Sequence, residues 1–255
     1  LSQSYGLFAR INQNELKRVL SNLINNSCEA FDNECGKVTI ALRGYSKKIT
    51  ITVMDNGKGI PEHILGKLGE KGISYGKDGS HSGSGLGIFH AKKTIEQFQG
   101  TFVIQSKANH GTLITMTFSK AENPKWFVEK IDLHTNQQVV VLDDDLSVIE
   151  VWRNHFKNNR ADTHGISLLN FTSGSEFKKW TLSQTADTLS KVLFLIDYEL
   201  LNQSKTGLDL IEELKIRAIL VTSRFEEKNI VDRCEKLEIG LIPKSMAGLV
   251  QLNLP

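Results

Sequence analysis

Five short, continuous apolar runs dominate residues 138–255. They are "VVVL", "ISLLNF", "VLFLI", "AILVT" and "GLIP". The segments between them have the apolar spacing of amphipathic helices, at residues 146–157, 173–182, 208–216 and 226–237. Strands that are apolar along their whole length lie inside parallel sheets, because helices cover both faces of such a sheet. The alternation therefore predicts a doubly wound (βα)5 domain whose strands are joined by right-handed crossovers.

Polar, chemically reactive side chains end or follow four of these runs. They are Asp143, Asp144, Asp197, Thr222 and Lys244. The carboxyl ends of parallel strands meet at one edge of the sheet, where ligands of such folds bind, so these side chains are expected to converge. Clustered carboxylates need a compensating charge, which favours a bound metal ion at this edge. Asp145 directly precedes a predicted helix, and we assign it as the N-cap of that helix.

Residues 138–255 resemble the receiver domain of response regulators. The resemblance implies that Asp197 is the phosphoacceptor and that Asp143 and Asp144 form the acidic pair. It also implies a Mg²⁺ site, with Asp144, Asp197 and the backbone carbonyl of Glu199 as ligands. Oxygen ligands of this kind are those that Mg²⁺ takes in proteins.

Two more residues belong to the implied receiver site. Thr222 would bond a phosphoryl oxygen, and Lys244 would pair with the phosphate. Two positions depart from the receiver pattern, because Ser245 follows the lysine where receivers usually have proline, and Leu241 occupies the position of an aromatic switch residue. The residues that would accept the phosphoryl group are all present, so this chemistry is expected to be intact. The two departures predict that the usual switching mechanism is altered. The tail after the lysine is short, so an abbreviated last helix is expected.

Residues 14–118 follow a different pattern. The predicted elements are a helix at 14–32, strands at 37–44 and 48–54, a helix at 86–98, and strands at 101–106 and 112–118. Paired strands with short turns predict an antiparallel sheet with helices on one face. Residues 121–137 are polar and contain Pro124, but "WFVEKIDL" alternates well enough to form an extra strand. We therefore predict a structured linker between domains at 1–120 and 138–255.

The first predicted helix carries two asparagines, Asn22 and Asn26, on one face, although asparagine is unfavourable in a helix interior. Glu29 continues that face. Two glycine-rich segments follow, "DNGKGI" at 55–60 and "GSGLGI" at 83–88, and the second leads into a helix. Glycines before a helix let a phosphate approach its free N–H groups. Each segment alone is common, and their combination with the asparagine helix is more specific.

This ordered set, closed by "GT" at 111–112, resembles the GHKL ATPases, and most closely the ATP-binding catalytic domain of sensor histidine kinases. The resemblance implies a two-layer α/β sandwich that binds ATP and Mg²⁺. The nucleotide-binding residues that it implies are Asn22, Asn26, Asp55, Gly57, Gly59, Ile60, Lys77, Gly83, Gly85, Leu86, Gly87 and Thr112. Asn26 would bind Mg²⁺, and Asp55 would accept the adenine amine. Residues 67–82 would form a lid, from which Lys71 or Lys77 would reach the γ-phosphate.

Composition limits the classes of function. The 255 residues carry a net charge of +2 with scattered lysines and arginines, so nucleic-acid binding is not expected. No apolar run approaches the roughly 20 residues that span a bilayer, so no membrane contact is expected from this part of the chain. Cys28, Cys35 and Cys234 lack metal-ligand spacing and are interpreted as reduced thiols, which predicts a cytoplasmic location.

None of the seven histidines lies in the helical context of a kinase phosphoacceptor. We therefore expect a dimerisation and phosphotransfer helical domain upstream of Leu1, and we interpret the chain as the C-terminal part of a hybrid sensor histidine kinase. A downstream phosphotransfer protein or response regulator is a second expected partner. Two alternatives stay open. One is a GHKL hydrolase with Glu15 or Glu29 as its catalytic carboxylate, and the other is a non-enzymatic module that senses nucleotide or phosphorylation.

Overall fold

The computed structural model describes residues 5–31, 36–66, 86–201 and 203–255. They divide into two compact units. The first unit spans Leu7–Glu122, and the second spans Asn123–Pro255 together with Tyr5 and Gly6. Most of the predicted linker, residues 121–137, thus lies in the second unit. No helix within the described ranges has the length and apolar character needed to cross a bilayer.

In the first unit, helices cover one face of a four-stranded antiparallel sheet. The elements in chain order are α1 (Gln13–Glu29), β1 (Val38–Gly44), β2 (Lys48–Asp55), α2 (Glu62–Leu65), α3 (Leu86–Gln97), β3 (Thr101–Ser106) and β4 (Thr112–Ser119). The strand order is β1-β2-β4-β3, and neighbouring strands are antiparallel. This is the two-layer arrangement that the sequence predicts. Helix α2 is too short to show a helical period, which is why the sequence does not predict it.

The core of the first unit lies between these two layers. Helix α1 contributes Val19 and Leu23, which are four residues apart and therefore on one helix face. On the sheet, alternate residues of the central strands face the helices, so that the buried Val53 of β2 lies opposite the buried Ile114 of β4. Asp55 occupies the next such position after Val53. Strand alternation thus brings a carboxylate to the helix-covered face.

In the second unit, helices cover both faces of a five-stranded parallel sheet. The elements in chain order are β5 (Lys130–Asp132), β6 (Gln138–Leu142), α4 (Leu146–Asn158), β7 (Ser167–Phe171), α5 (Gly174–Ser183), α6 (Ala186–Lys191), β8 (Leu193–Asp197), α7 (Gly207–Leu214), β9 (Ala218–Thr222), α8 (Lys228–Lys236), β10 (Leu241–Pro243) and β11 (Gln251–Asn253). The sheet order is β7-β6-β8-β9-β10. Counted along the chain, this is the doubly wound order 2-1-3-4-5.

Strand β6 shows why its sequence is apolar throughout. Val140 and Leu142 pack in one hydrophobic core with Phe177, whereas Val139 packs in a second core with Trp152. The two cores lie on opposite faces of the sheet because successive side chains of a strand alternate. A strand buried on both faces has no position for a solvent-facing polar residue.

After β10 the chain departs from a regular βα repeat. A 3-10 helix, Lys244–Leu249, stands where a final α-helix was expected, so the predicted shortening is confirmed. The following strand β11 pairs in parallel with β5 of the linker. Strand β5 lies within "WFVEKIDL", so the extra strand expected there is also present, although only three of its residues pair.

Candidate functional sites

The first site is built around the carboxylate of Asp55, the last residue of β2. This residue is 8% exposed. Its Oδ1 accepts hydrogen bonds from the backbone N–H groups of Gly57 at 2.9 Å and Thr112 at 3.1 Å. Its Oδ2 accepts a hydrogen bond from the hydroxyl of Ser27 at 3.1 Å. These three donors are uncharged and do not use the full acceptor capacity of a carboxylate, so the group is able to accept from a ligand.

Two glycines let the loop after β2 approach its neighbours closely. A Cβ on Gly57 would lie 2.7 Å from the carbonyl oxygen of Ala30, which also accepts a hydrogen bond from the N–H of Lys58 at 2.9 Å. Gly59 has a φ of +62°, and a Cβ there would lie 2.1 Å from the carbonyl oxygen of Lys107. A larger residue at either position would displace the loop that carries the N–H of Gly57, one of the three donors to Asp55.

Ser106, at the end of β3, joins this loop to the turn between β3 and β4. Its hydroxyl donates to the carbonyl oxygen of Gly111 at 2.7 Å and accepts from the N–H of Ile60 at 2.8 Å. It also lies 3.0 Å from the hydroxyl of Thr112. Ser106 thus connects two of the predicted site residues, Ile60 and Thr112, and the sequence did not indicate it.

The two asparagines of α1 lie at the edge of the core, partly exposed to solvent. Asn22 and Asn26 are half-buried, whereas Glu29 is exposed. The side-chain nitrogen of Asn26 lies 3.4 Å from the position that a Cβ on Gly87 would occupy. The first turn of α3 therefore packs beside the amide face of α1, and a glycine at this point keeps that approach open.

Four of the predicted phosphate-binding residues lie outside the described residues. These four are Lys71, Lys77, Gly83 and Gly85. The side chain of Leu86 also lies outside the described part of the structure, although its backbone begins α3. The described part of the site comprises the carboxylate, the two glycines after β2, the β3–β4 turn and the asparagine face of α1.

The second site lies at the carboxyl ends of the parallel strands. Asp143 follows β6 and Asp197 ends β8, and each of them is 2% exposed. Lys244 follows β10, and its Nζ lies 3.0 Å from a carboxylate oxygen of Asp143 and 2.8 Å from one of Asp197. One ammonium thus bridges two carboxylates from different strands, which offsets part of the cost of burying them. The predicted convergence of these side chains is observed.

Burial dominates the electrostatics of this bridge. Desolvation raises the pKa of Asp197 to about 6, although the hydrogen bond from Lys244 opposes the rise. Burial also raises the pKa of Asp143. For Lys244 burial acts to lower the pKa, but the hydrogen bonds to both carboxylates outweigh it and the pKa is raised. The lysine therefore stays positively charged. Its single charge does not balance both carboxylates, so an additional cation would stabilise their ionised forms.

Asp144 completes a cluster of three carboxylates. Ligand oxygens of Asp143, Asp144 and Asp197 all lie within 4.8 Å of one another. One carboxylate oxygen of Asp144 also accepts the backbone N–H of Leu201 at 2.9 Å. This donor set suits a hard divalent cation such as Mg²⁺. Asp145, next in sequence, caps α4 through a hydrogen bond from a backbone N–H in the first helical turn, as predicted.

Thr222 reaches the same edge of the sheet from β9 and is fully buried. Its hydroxyl accepts a hydrogen bond from the N–H of Arg224 at 3.0 Å. The guanidinium of Arg224 lies 5.4 Å from the ring centre of Tyr198 and forms hydrogen bonds with Glu227. It also lies 3.6 Å from a side-chain oxygen of Glu199, whose backbone was the predicted metal ligand. This arginine was not predicted, because an isolated arginine in a loop sequence carries no distinguishing signal.

Comparison with known proteins bears on the family of the first unit. Residues 11–122 match the family model described as "Histidine kinase-, DNA gyrase B-, and HSP90-like ATPase". The first unit is a histidine-kinase-type ATP-binding domain. Its two-layer α/β architecture is accordingly the GHKL fold that the sequence resemblance implies.

Several kinases are similar to this domain. Sporulation kinase A of Bacillus subtilis (strain 168) is 34% identical over 108 residues, which are 42% of this chain and 17% of that kinase. Sporulation kinase D of the same organism is 31% identical over 111 residues, which are 44% of this chain and 21% of that kinase. A solved catalytic domain of the histidine kinase ThkA is 27% identical, with 43% of this chain and 70% of that chain covered and a TM-score of 0.38. The chain thus spans about a fifth of the length of the two sporulation kinases.

Proposed function

We propose that this chain is the ATP-binding and phosphoryl-receiving part of a hybrid sensor histidine kinase. The first unit presents the γ-phosphate of ATP to a histidine on a separate helical domain, and the second unit, a receiver domain, takes the phosphoryl group onto Asp197. One observation carries the proposal. A histidine-kinase-type ATP-binding domain shares a chain with a buried carboxylate cluster, bridged by Lys244, at the strand ends of a 2-1-3-4-5 sheet.

At the first site, Asp55 accepts the exocyclic amine of adenine in this proposal. Its protein donors orient the carboxylate and leave acceptor capacity for one more N–H group. Guanine has a carbonyl oxygen at the equivalent ring position and would face the carboxylate with a second acceptor, so the site favours ATP over GTP. The side-chain oxygen of Asn26 would bind the Mg²⁺ that accompanies the nucleotide. Catalysis by this unit is then positioning and charge neutralisation.

At the second site, phosphoryl transfer forms an acyl phosphate. A carboxylate oxygen of Asp197 attacks phosphorus, a P–O bond forms, and the P–N bond to the donor imidazole breaks with the electron pair kept by nitrogen. Lys244 would pair with the transferred phosphoryl group and Thr222 would bond another of its oxygens. Asp143, Asp144 and Asp197 would hold Mg²⁺, which neutralises phosphoryl charge when bound.

The geometry of α1 bears on the hydrolase alternative. Glu15 lies in the first turn of α1 and bonds to Arg18 at 2.6 Å. It is eleven residues before Asn26, or about 16 Å along a helix with a rise of 1.5 Å per residue. That distance argues against Glu15 as a base for chemistry beside Asn26. Glu29, one turn after Asn26, is the carboxylate that a hydrolase would use.

Binding of a non-hydrolysable ATP analogue to the whole chain tests the first half of the proposal. Wild type should bind it in the presence of Mg²⁺, and Asp55→Asn should weaken binding by about tenfold or more, because the substituted amide no longer matches the donors around it. Undiminished binding by Asp55→Asn would contradict the assigned role. Steady ATP hydrolysis that is lost in Glu29→Gln would favour the hydrolase.

A small-molecule phosphodonor tests the second half. Acetyl phosphate with Mg²⁺ should phosphorylate the wild-type chain and leave Asp197→Asn unmodified, as read by the mobility of the protein on a phosphate-affinity gel. ATP alone should give no phosphorylation, because the donor histidine lies on the separate helical domain. Nucleotide binding without any modification of Asp197 would favour a non-enzymatic sensing module.

The same proposal defines the partners and the location. The first unit works with a dimerisation and phosphotransfer helical domain, and the second unit passes its phosphoryl group to a phosphotransfer protein or regulates its own kinase. A cytoplasmic location supplies ATP and keeps the cysteines reduced.

A further inference from the structure

Ser27 lies in the part of α1 that packs on the sheet. It follows Asn26 directly and stands four residues after Leu23, so it shares the buried face of the helix. The residue is 5% exposed. A buried hydroxyl is costly unless it is hydrogen-bonded. Its Oγ donates to Oδ2 of Asp55 at 3.1 Å, across a separation of 28 residues in the sequence.

The hydrogen bonds to Asp55 leave a small and defined acceptor capacity. An ionised carboxylate has about four lone-pair positions, two on each oxygen. The N–H groups of Gly57 and Thr112 use the two positions of Oδ1. Ser27 uses one position of Oδ2. Among the residues that the structure describes, no further donor reaches Oδ2, which leaves one position for a ligand.

We propose that Ser27 is a positioning residue for recognition of the nucleotide base. By holding Oδ2 it limits Asp55 to a single further donor and fixes where that donor must lie. The inference rests on the proposed function, in which the donor is the amine of adenine. Without the hydroxyl, Oδ2 has two open positions, and a water molecule occupies the one that Ser27 leaves. A hydrated, less constrained carboxylate discriminates poorly between purines with and without the amine, because water satisfies it in either case.

A comparison of two nucleotides tests this inference with the whole chain. The ligands are ATP and purine riboside triphosphate, which has a hydrogen in place of the 6-amino group. Wild type should bind ATP about tenfold or more tightly than the analogue, because the analogue leaves a buried acceptor unpaired. In Ser27→Ala the affinity for ATP should fall by about fivefold or more. The ratio of the affinity for ATP to the affinity for the analogue should fall to about threefold or less.

Two further variants give the experiment its controls. Ser21→Ala removes an exposed serine from the same helix and should leave the ratio unchanged. Ser27→Cys is close to isosteric but donates weakly, so it should give a ratio between those of wild type and Ser27→Ala. This variant also keeps the test decisive if the alanine variant does not fold, as judged by circular dichroism.

The outcomes separate the two levels of the proposal. Equal weakening of both nucleotides by the substitutions at Ser27 would indicate a purely structural hydroxyl and overturn the positioning role. The positioning role is also overturned if the affinities of Ser27→Ala and Ser27→Cys for ATP and the analogue keep the wild-type ratio, whatever their absolute values. If wild type itself shows no preference for ATP over the analogue, then recognition of the amine by Asp55 is wrong, and the inference about Ser27 falls with it.

Discussion

Replacement of Lys244 with methionine removes the ammonium between two buried carboxylates and nearly preserves the length of the side chain. In the wild type its Nζ lies 3.0 Å from Asp143 and 2.8 Å from Asp197, and both aspartates are 2% exposed. A buried carboxylate that loses its cation becomes protonated when that costs less than holding an unpaired charge. We expect the variant to fold and its second unit to lose stability in a pH-dependent way.

The size of this loss follows from the pKa of Asp197. Burial raises that pKa from 3.8 to about 6 with the lysine in place. Protonation of this group in the folded wild type therefore costs about 2 kcal/mol at pH 7.5 and almost nothing near pH 6, because each pH unit above the pKa adds about 1.4 kcal/mol. We take this cost as the pH-dependent part of the destabilisation of Lys244→Met, to which loss of the bridge to Asp143 adds.

The sign of the pH effect is opposite to that of an ordinary salt-bridged aspartate. Because the folded state binds this proton more tightly than the unfolded state, the stability contributed by Asp197 is full below pH 3.8 and is lost as the pH rises to about 6. In Lys244→Met the decline should continue above pH 6. The difference in stability between the wild type and the variant should therefore be about 2 kcal/mol larger at pH 7.5 than at pH 6.

Tryptophan fluorescence isolates the relevant unit in a urea titration. Trp126, Trp152 and Trp180 are the three tryptophans of the chain, and all lie in the second unit. Titrations in EDTA at pH 6 and pH 7.5 give the two free energies of unfolding. Lys179→Met, at an exposed lysine of α5, is the matched control and should change neither. A loss of equal size at both pH values, or no loss at pH 7.5, would refute the reasoning.

Three further predictions concern a loop, a buried histidine and the metal. Gly59→Ala places a side chain at a φ of +62° and 2.1 Å from the carbonyl oxygen of Lys107, so calorimetry should show the first unit destabilised by about 1–2 kcal/mol or more, with weaker nucleotide binding. Burial lowers the pKa of His155, whose Nε2 lies 2.7 Å from the carbonyl oxygen of Val250. The unfolded chain therefore binds this proton first as pH falls below about 6.5, and His155→Gln should reduce the loss of stability between pH 7.5 and pH 5.5 in urea titrations. Mg²⁺ should raise the urea midpoint of wild type, and an equal rise in Asp144→Asn would exclude Asp144 as a ligand.

The strand-end cluster was predictable because it depends on topology alone. Continuous apolar runs predict a parallel sheet, and a parallel sheet brings the carboxyl ends of its strands together whatever the side chains are. The distances from Lys244 to Asp143 and Asp197 fulfil that expectation. Asp55 was identified in a different way, through a resemblance between ordered motifs, since an aspartate before a glycine is ordinary turn chemistry when it stands alone.

The hydroxyl partners of the first site were not predictable from the sequence. Ser27 lies in a helix and Ser106 at the end of a strand, where serines are unremarkable. Their roles depend on contacts across 28 residues to Asp55 and across 46 residues to Ile60. Pairing of β11 with β5 is similar, because strands of three residues have no readable period and the pairing joins distant parts of the chain.

The two carboxylate sites differ in their donors, and this difference accounts for the ligands that each is proposed to take. Asp55 is held by two N–H groups and one hydroxyl, which add no positive charge, so a neutral donor such as a base amine suits it and an anion does not. The second cluster contains three carboxylates and one ammonium, for a formal charge of −2 when all are ionised. A divalent cation brings that charge to zero, and the site then tolerates an incoming phosphoryl group that it would otherwise repel. Mg²⁺ should therefore be required before acetyl phosphate reacts at Asp197, whereas adenine recognition at Asp55 should persist when the metal is removed.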